Sequence, residues 1–429
     1  MQIMKSVKYF MFVSALAAIV SAGCSDEEDV SVRIEESAIE IEVGQKHALR
    51  AVASDGAAIG WRSENPEIAN VSAAGLVTGL SEGTTDVVAV VGGAVSSCAV
   101  TVVAATPESL SLDVSSLNLV VGDVYPLKID VVPSDTEFVC ESSDEKVVAV
   151  DAQTGVVTAV GAGEATVTVV CGASRAACSV SVTAAPEVGD FYYADGTWSG
   201  TLDPDKTPVA VVFYAENPSA DDAALRREKP WCTHGLAVAL DGIDGYGYAA
   251  WQSNYERYGK PVGDWIRDNT FYETTFVHMS EKNWGLADML LGYNNTRAIE
   301  AFNNVPEHYE YRVDAVQYVV DYRKKVPAPE TSSDWYLPCP KELKYLGAGD
   351  HEGTIDKAIP ITALHTVNER VEEAGGIPVE ISTRPYTTST ESVSGYAHVC
   401  LFSSVNDTCG CFDSPKEIGN LNIRAILAF

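Results

Sequence analysis

Apolar and polar positions alternate in short runs through the first half of the chain, then change rhythm. Between residues 31 and 184, Val, Ala and Leu alternate with Thr, Ser and charged residues, and Gly, Asn-Pro and Ser-Asp turns break the runs. A period of two marks strands, so this half reads as small antiparallel β-sandwiches. Alternation puts Val87, Ala89 and Val91 on one face and Val88 and Val90 on the other, which predicts a strand buried on both sides. The pattern repeats after about 80 residues. Val43-Gly44 matches Val121-Gly122, Gly75-Leu76-Val77-Thr78 matches Gly155-Val156-Val157-Thr158, and Cys98-Ala99-Val100-Thr101-Val102 matches Cys178-Ser179-Val180-Ser181-Val182. Gly75 and Gly155 fall where a hairpin needs positive φ.

From Val188 the alternation fades and Trp, Tyr and Asn rise. Pro208–Tyr214 and Gly235–Leu240 read as strands, and the Gly- and aromatic-rich Gly245–Trp251 as a third. Helical spacing follows. One helix is expected over Thr296–Phe302 with Asn295 as its cap. A second is expected over Tyr311–Lys325, with an apolar stripe of Val313, Val316, Val319 and Val320 and a stop at Pro327. The stretch Asp334-Trp335-Tyr336-Leu337-Pro338-Cys339-Pro340 should carry a strand end into a helix opening at Pro340, with Leu343 and Leu346 turned the same way and Trp335 in the core. Leu364–Ala374 is a further helix, closed by Gly375-Gly376. Tyr396–Phe402, a turn at Val405-Asn406-Asp407 and a return through Thr408–Phe412 form a hairpin, and Leu421–Phe429 is the last strand. The fold class is therefore mainly β, two β-sandwiches followed by an α+β unit.

The chain's 429 residues carry a formal net charge of −31. Such an acidic surface repels phosphate backbones and anionic lipid headgroups, so no nucleic acid and no electrostatic membrane docking are expected. Lys5 and Lys8 precede an apolar run from Tyr9 to Val20 that suits a signal peptide and is too short for a spanning helix. Ser21-Ala22-Gly23-Cys24 resembles the bacterial lipoprotein processing site, which implies lipidation of Cys24 and a membrane link through lipid alone. Ser25-Asp26-Glu27-Glu28-Asp29 resembles the acidic export signal of surface-exposed Bacteroidetes lipoproteins and otherwise reads as a solvated tether. The expected divisions are residues 1–23 signal peptide, 24–30 tether, 31–105 and 106–185 Ig-like domains, and 186–429 terminal domain. The expected localisation is the outer membrane, exposed at the cell surface.

The two repeats, with Trp61-Arg62-Ser63-Glu64-Asn65, the Gly-[Leu/Val]-Val-Thr hairpin and the late Cys-x-Val-x-Val strand, resemble the bacterial Ig-like group 2 domain. Such modules serve as spacers or adhesive stalks. Six stretches of the terminal region, Gly189–Ser199, Asn295–Ile299, Trp335–Leu346, Ala374–Gly376, Tyr386–Glu391 and Ile423–Phe429, resemble the Bacteroidetes and Fibrobacter group related to the Legionella collagen-like C-terminal domain. That resemblance implies a C-type-lectin-like fold, distantly similar to the formylglycine-generating enzymes.

Candidate chemistry is sparse. Of ten Cys, nine remain if Cys24 is lipidated, and an odd number leaves a thiol free. Cys171 and Cys178 flank a short turn and are a possible disulfide, with small buried hydrophobes as the alternative. Cys409 and Cys411 lie two apart on a strand and share a face, as a redox or metal pair would, but no basic group stands beside them. Val405-Asn406-Asp407-Thr408-Cys409 resembles part of the calcium site of lectins but offers only two side-chain ligands, so a turn is expected and no cofactor is assigned. No nucleophile motif such as G-x-S-x-G occurs, so a hydrolase is not supported and the expectation is a protein that is not an enzyme, with a formylglycine-type oxidase as the remote alternative. An insertion between Gln252 and Tyr293 carries Tyr255, Tyr258, Trp265, Tyr272 and Trp284 among Asn, Asp and Gly. These rings are expected either to bind a sugar or a protein partner, or to close a satellite core. The function expected is a cell-surface adhesin that recognises a glycan or a host or bacterial surface protein. The alternatives are a structural or tip subunit of a fimbria-like assembly and, last, a formylglycine-type enzyme.

Overall fold

A computed structural model of the chain describes residues 30–105, 109–134, 136–243, 249–274, 288–349, 357–392 and 394–429. The period-two half folds as two successive sandwiches of the same plan. In the first, Ala38–Glu42, Ala94–Val103, Gly83–Val91 and Gly60–Ser63 form one sheet in that order, and Lys46–Ala48, Leu76–Gly79 and Ala69–Val71 form the facing one. In the second, Ser116–Val120, Ser174–Thr183, Gly163–Cys171 and Val139–Ser142 face Val124–Pro126, Val156–Ala159 and Val148–Val150. In each, an early strand runs parallel to the last one. Val87 and Ala89 are fully buried and Val88 nearly so, as expected for a strand covered on both faces. Gly75 and Gly155 adopt φ of +80° and +70°. A Cβ at Gly75 would come within 3.0 Å of both Leu49 O and the Trp61 ring, so the hairpin needs glycine for space as well as for φ.

The terminal region is built on a sheet ordered Trp198–Ser199, Phe191–Tyr193, Pro208–Tyr214, Leu236–Ala239, Ile426–Ala428. Its first and last strands lie on either side of the same two central strands, so the closing Ile426–Ala428 locks the region's two ends together. Each strand feeds both faces. Phe191, Val211, Phe213 and Val238 enter one core with the helices Pro340–Ala348 and Thr362–Glu373. Tyr192, Ala210, Val212 and Ala237 enter the other with Gly292–Asn303 and Asp314–Lys325. This explains why Pro208–Tyr214 reads as an unbroken apolar run rather than an alternating one. A second sheet, Ile359–Pro360, Thr408–Pro415, Tyr396–Ser403, Tyr386–Glu391, closes one side. The class is mainly β with an α+β C-terminal region.

Several elements differ from the pattern. The helix expected to be capped by Asn295 begins at Gly292, and Asn295 lies inside it, donating to Thr390 Oγ1 at 3.2 Å. The helix expected from Tyr311 begins at Asp314, after a 3-10 turn over Pro306–Tyr311. Asn303 sets that start, since its amide both donates to Val313 O and accepts from Val313 N. In the expected strand Gly245–Trp251, residues 244–248 lie outside the described set, and Ala249 makes a lone bridge to Leu421.

Candidate functional site

The centre of the terminal region is a polar strand with no exposed face. Thr387, Thr388, Ser389, Thr390 and Glu391 are all 2% exposed or less. Buried polar groups are tolerated only when paired, and most of these tie a different element to the strand. Trp251 Nε1 donates to Thr388 O at 2.9 Å, Thr388 Oγ1 donates to His398 O at 2.8 Å, and Ser389 N donates to Pro338 O at 2.9 Å. Glu391 is the strongest tie. Its two carboxylate oxygens accept Val262 N at 2.8 Å and Gly263 N at 2.7 Å, the opening amides of the helix Val262–Asn269. That helix has no side-chain cap of its own, so a carboxylate from a distant strand supplies it and meets the positive end of the helix dipole. Lys416, also fully buried, pairs with Glu391 and lies 4.9 Å from the Trp251 ring centroid and 4.2 Å from that of Tyr255. Burial pushes the Glu391 carboxyl up and the Lys416 ammonium down, while the pairing opposes both shifts.

This clamp positions the aromatic insertion. Tyr258 and Trp265 set their rings edge-on to Phe302 at 5.1 and 5.6 Å, and His308 stacks on Phe302 at 3.9 Å. Tyr272 donates to Glu228 Oε1 at 2.9 Å, beside Tyr293 and Arg297 on the same carboxylate. Tyr255 turns toward Lys416. These four rings point into three separate neighbourhoods, and Tyr258, Trp265 and Tyr272 pack against the core. Among the described residues, these three rings pack against the core in the manner of a satellite core. Trp284 lies outside the described residues, as does Cys24.

The stretch around Trp335 is structural throughout. Trp335 is fully buried and donates from Nε1 to Val326 O at 2.9 Å. Leu337 N donates to Thr296 Oγ1 at 3.0 Å. Pro340 opens its helix as expected, and Glu342 Oε2 accepts Cys339 N at 2.7 Å, half of a capping box. The Glu342 carboxyl is pushed up to about 8 by burial.

The cysteine expectations need correction. Cys171 stands opposite Ser174 and Cys178 opposite Val167, so the hairpin register holds their sulfurs on different rungs, and both thiols are free. The disulfide is instead Cys400–Cys411, which are direct cross-strand partners in the Tyr396–Ser403/Thr408–Pro415 hairpin. Cys411 is therefore no redox or metal partner of Cys409, whose buried thiol is pushed up to about 12. Closing a loop of this length is worth about 2–3 kcal/mol in the chain-entropy model. Cys400→Ser/Cys411→Ser should lower the head's unfolding free energy by about that amount in urea titration, and an unchanged midpoint would refute the cross-link's role. Among the described residues, no group of three or more His, Cys, Asp or Glu could hold a metal, and no helix is long and apolar enough to cross a membrane.

Residues 31–103 and 99–182 match the bacterial Ig-like domain (group 2). The "Putative fimbrium tip subunit Fim1C" of Bacteroides ovatus is 26% identical over 247 residues, covering 52% of this chain and 42% of that protein. The chain thus matches less than half the length of this curated relative. Among solved structures, a fimbrial protein from Bacteroides ovatus aligns with a TM-score of 0.45 at 19% identity, covering 81% of this chain and 76% of the other. The surface-layer protein SbsC aligns with a TM-score of 0.19 at 18% identity, covering 42% of this chain and 32% of the other. The chain carries two tandem bacterial Ig-like group 2 domains ahead of an α+β terminal region, and its relatives are fimbrial proteins of Bacteroides.

Proposed function

We propose that this chain is a subunit of a fimbria-like assembly on the bacterial surface, with residues 186–429 as its outward recognition head and the two Ig-like domains as its stalk. One observation carries the reading: the match to the fimbrium tip subunit covers more of the chain than the two sandwiches span, so the likeness includes part of the head. The architecture supports it, since two tandem sandwiches of one plan suit a stalk. The enzyme alternative loses its thiol pair to the Cys400–Cys411 bond. Cys24 would carry the lipid that holds the chain to the outer membrane, and the head would meet a glycan or a surface protein without a cofactor. Mechanical shearing of cells expressing the chain tests the assembly. The chain should copurify with filaments in the sheared fraction; recovery as a lone monomer in the membrane fraction, with filaments free of it, would refute the proposal.

A further inference from the structure

A groove of about 520 Å³ lies where the second Ig-like domain meets the head. Its volume falls within the range of small-molecule sites, which favour domain boundaries. One wall is the edge strand Ser116–Val120, contributing Asn118, and the other comes from the head. Aromatic rings make the floor: Phe429, the last residue of the chain, lies 4.5 Å from Tyr192 and 5.3 Å from Trp198, centroid to centroid. The walls are braced against each other. His234 Nε2 sits 3.0 Å from Asp123 Oδ1, and Trp198 Nε1 donates to Ala184 O at 3.0 Å. At the rim stands Trp231, 48% exposed, with Lys229 Nζ 5.6 Å from its ring centroid.

The lining selects among occupants. Glu330 shares the rim with the Lys229 ammonium beside Trp231, and Asp123 is taken up by His234, so on a chain of net charge −31 the groove holds no surplus positive charge to attract an anion. A wholly apolar ligand would leave Asn118, Glu330 and Thr331 facing it without partners. A neutral ring with one apolar face and a fringe of hydroxyls satisfies both halves: C–H groups against an indole, hydroxyls toward the amide, carboxylate and hydroxyl side chains. We infer that this groove is a carbohydrate site that seats a pyranose ring on the Trp231 indole. The inference rests on the recognition role proposed above and moves that role from the insertion to the junction between stalk and head.

The test uses the purified mature chain, titrated with the methyl pyranosides of glucose, galactose, mannose and N-acetylglucosamine and their disaccharides. Binding is read by tryptophan fluorescence and saturation-transfer NMR. At least one probe should bind at millimolar concentration or tighter. Trp231→Ala should weaken it about tenfold or more, and Asn118→Arg, which narrows the opposite wall, should do the same with an unchanged thermal transition. No binding by any probe, or wild-type binding by both variants, would overturn the inference. Recovery of Trp231→Ala in the sheared filament fraction, scored separately, distinguishes failure of the sugar site from failure of the fimbrial reading.

Discussion

Replacing Glu391 by alanine is expected to destabilise the head by about 3–5 kcal/mol, the cost of leaving a buried charge without its partner. The side chain is fully buried, and three donors converge on it: Lys416 Nζ, Val262 N and Gly263 N. Truncation strands an ammonium in an aromatic cage and removes the carboxylate that accepts from the first amides of the helix Val262–Asn269. Lys416→Met should cost less, because the carboxylate keeps its two amide donors. The double variant Glu391→Ala/Lys416→Met should be milder than the sum of the two single changes, as expected when one partner's loss is what makes the other costly. Urea denaturation of the four proteins measures this. Additive losses would mean that the pair does not act as a unit. Proteolysis gives a second readout: in Glu391→Ala, cleavage should concentrate in the 252–274 segment that the clamp holds.

The second large effect is a pH dependence with an unusual sign. Glu342 is held near a folded pKa of about 8 by burial, beside Asp222, which burial also pushes up. A carboxyl whose folded pKa exceeds its unfolded value near 4.5 binds its proton more tightly in the folded state. Its contribution is fully present below the unfolded value and is lost as pH rises through the folded one. The head should therefore lose on the order of 3–5 kcal/mol between roughly pH 5 and pH 8 from this group. Glu342→Gln, neutral at every pH and still able to accept from Cys339 N, should flatten that slope. Gly292 explains why the site tolerates no larger neighbour: a Cβ there would lie 2.0 Å from Glu342 Oε2 and 2.8 Å from the Tyr336 ring. Equal stability of the wild type at pH 5 and pH 8 would contradict the assignment.

Local pattern carried the sandwiches in full. Period-two alternation, the repeat and the positive-φ glycines at 75 and 155 all describe neighbours in sequence, and the strands form where they predict. Helices stopped by proline or glycine were legible for the same reason. The helix closed by Gly375 ends on such a signal, and the Pro340 helix opens on one. What the pattern hid is long-range. Glu391 and Lys416 look like solvent-facing residues until the fold removes both from water, and the amides that Glu391 caps lie more than a hundred residues away. The Cys400–Cys411 bond was recoverable, because the turn at Val405-Asn406-Asp407 leaves those two residues opposite each other once the hairpin register is counted. The aromatic insertion left two readings open, because composition marks rings as available while only packing decides which way they face. The junction groove had no sequence signal: Asn118, Trp231 and Phe429 come from three distant stretches that meet only after both domains fold.

The fimbrial reading is tested most directly by immunogold electron microscopy of intact cells, with antibody raised against residues 186–429. Gold should lie on filaments projecting from the envelope, at their ends for a tip subunit or along them for a shaft subunit. Gold spread evenly over the cell envelope, with the filaments bare, would contradict it.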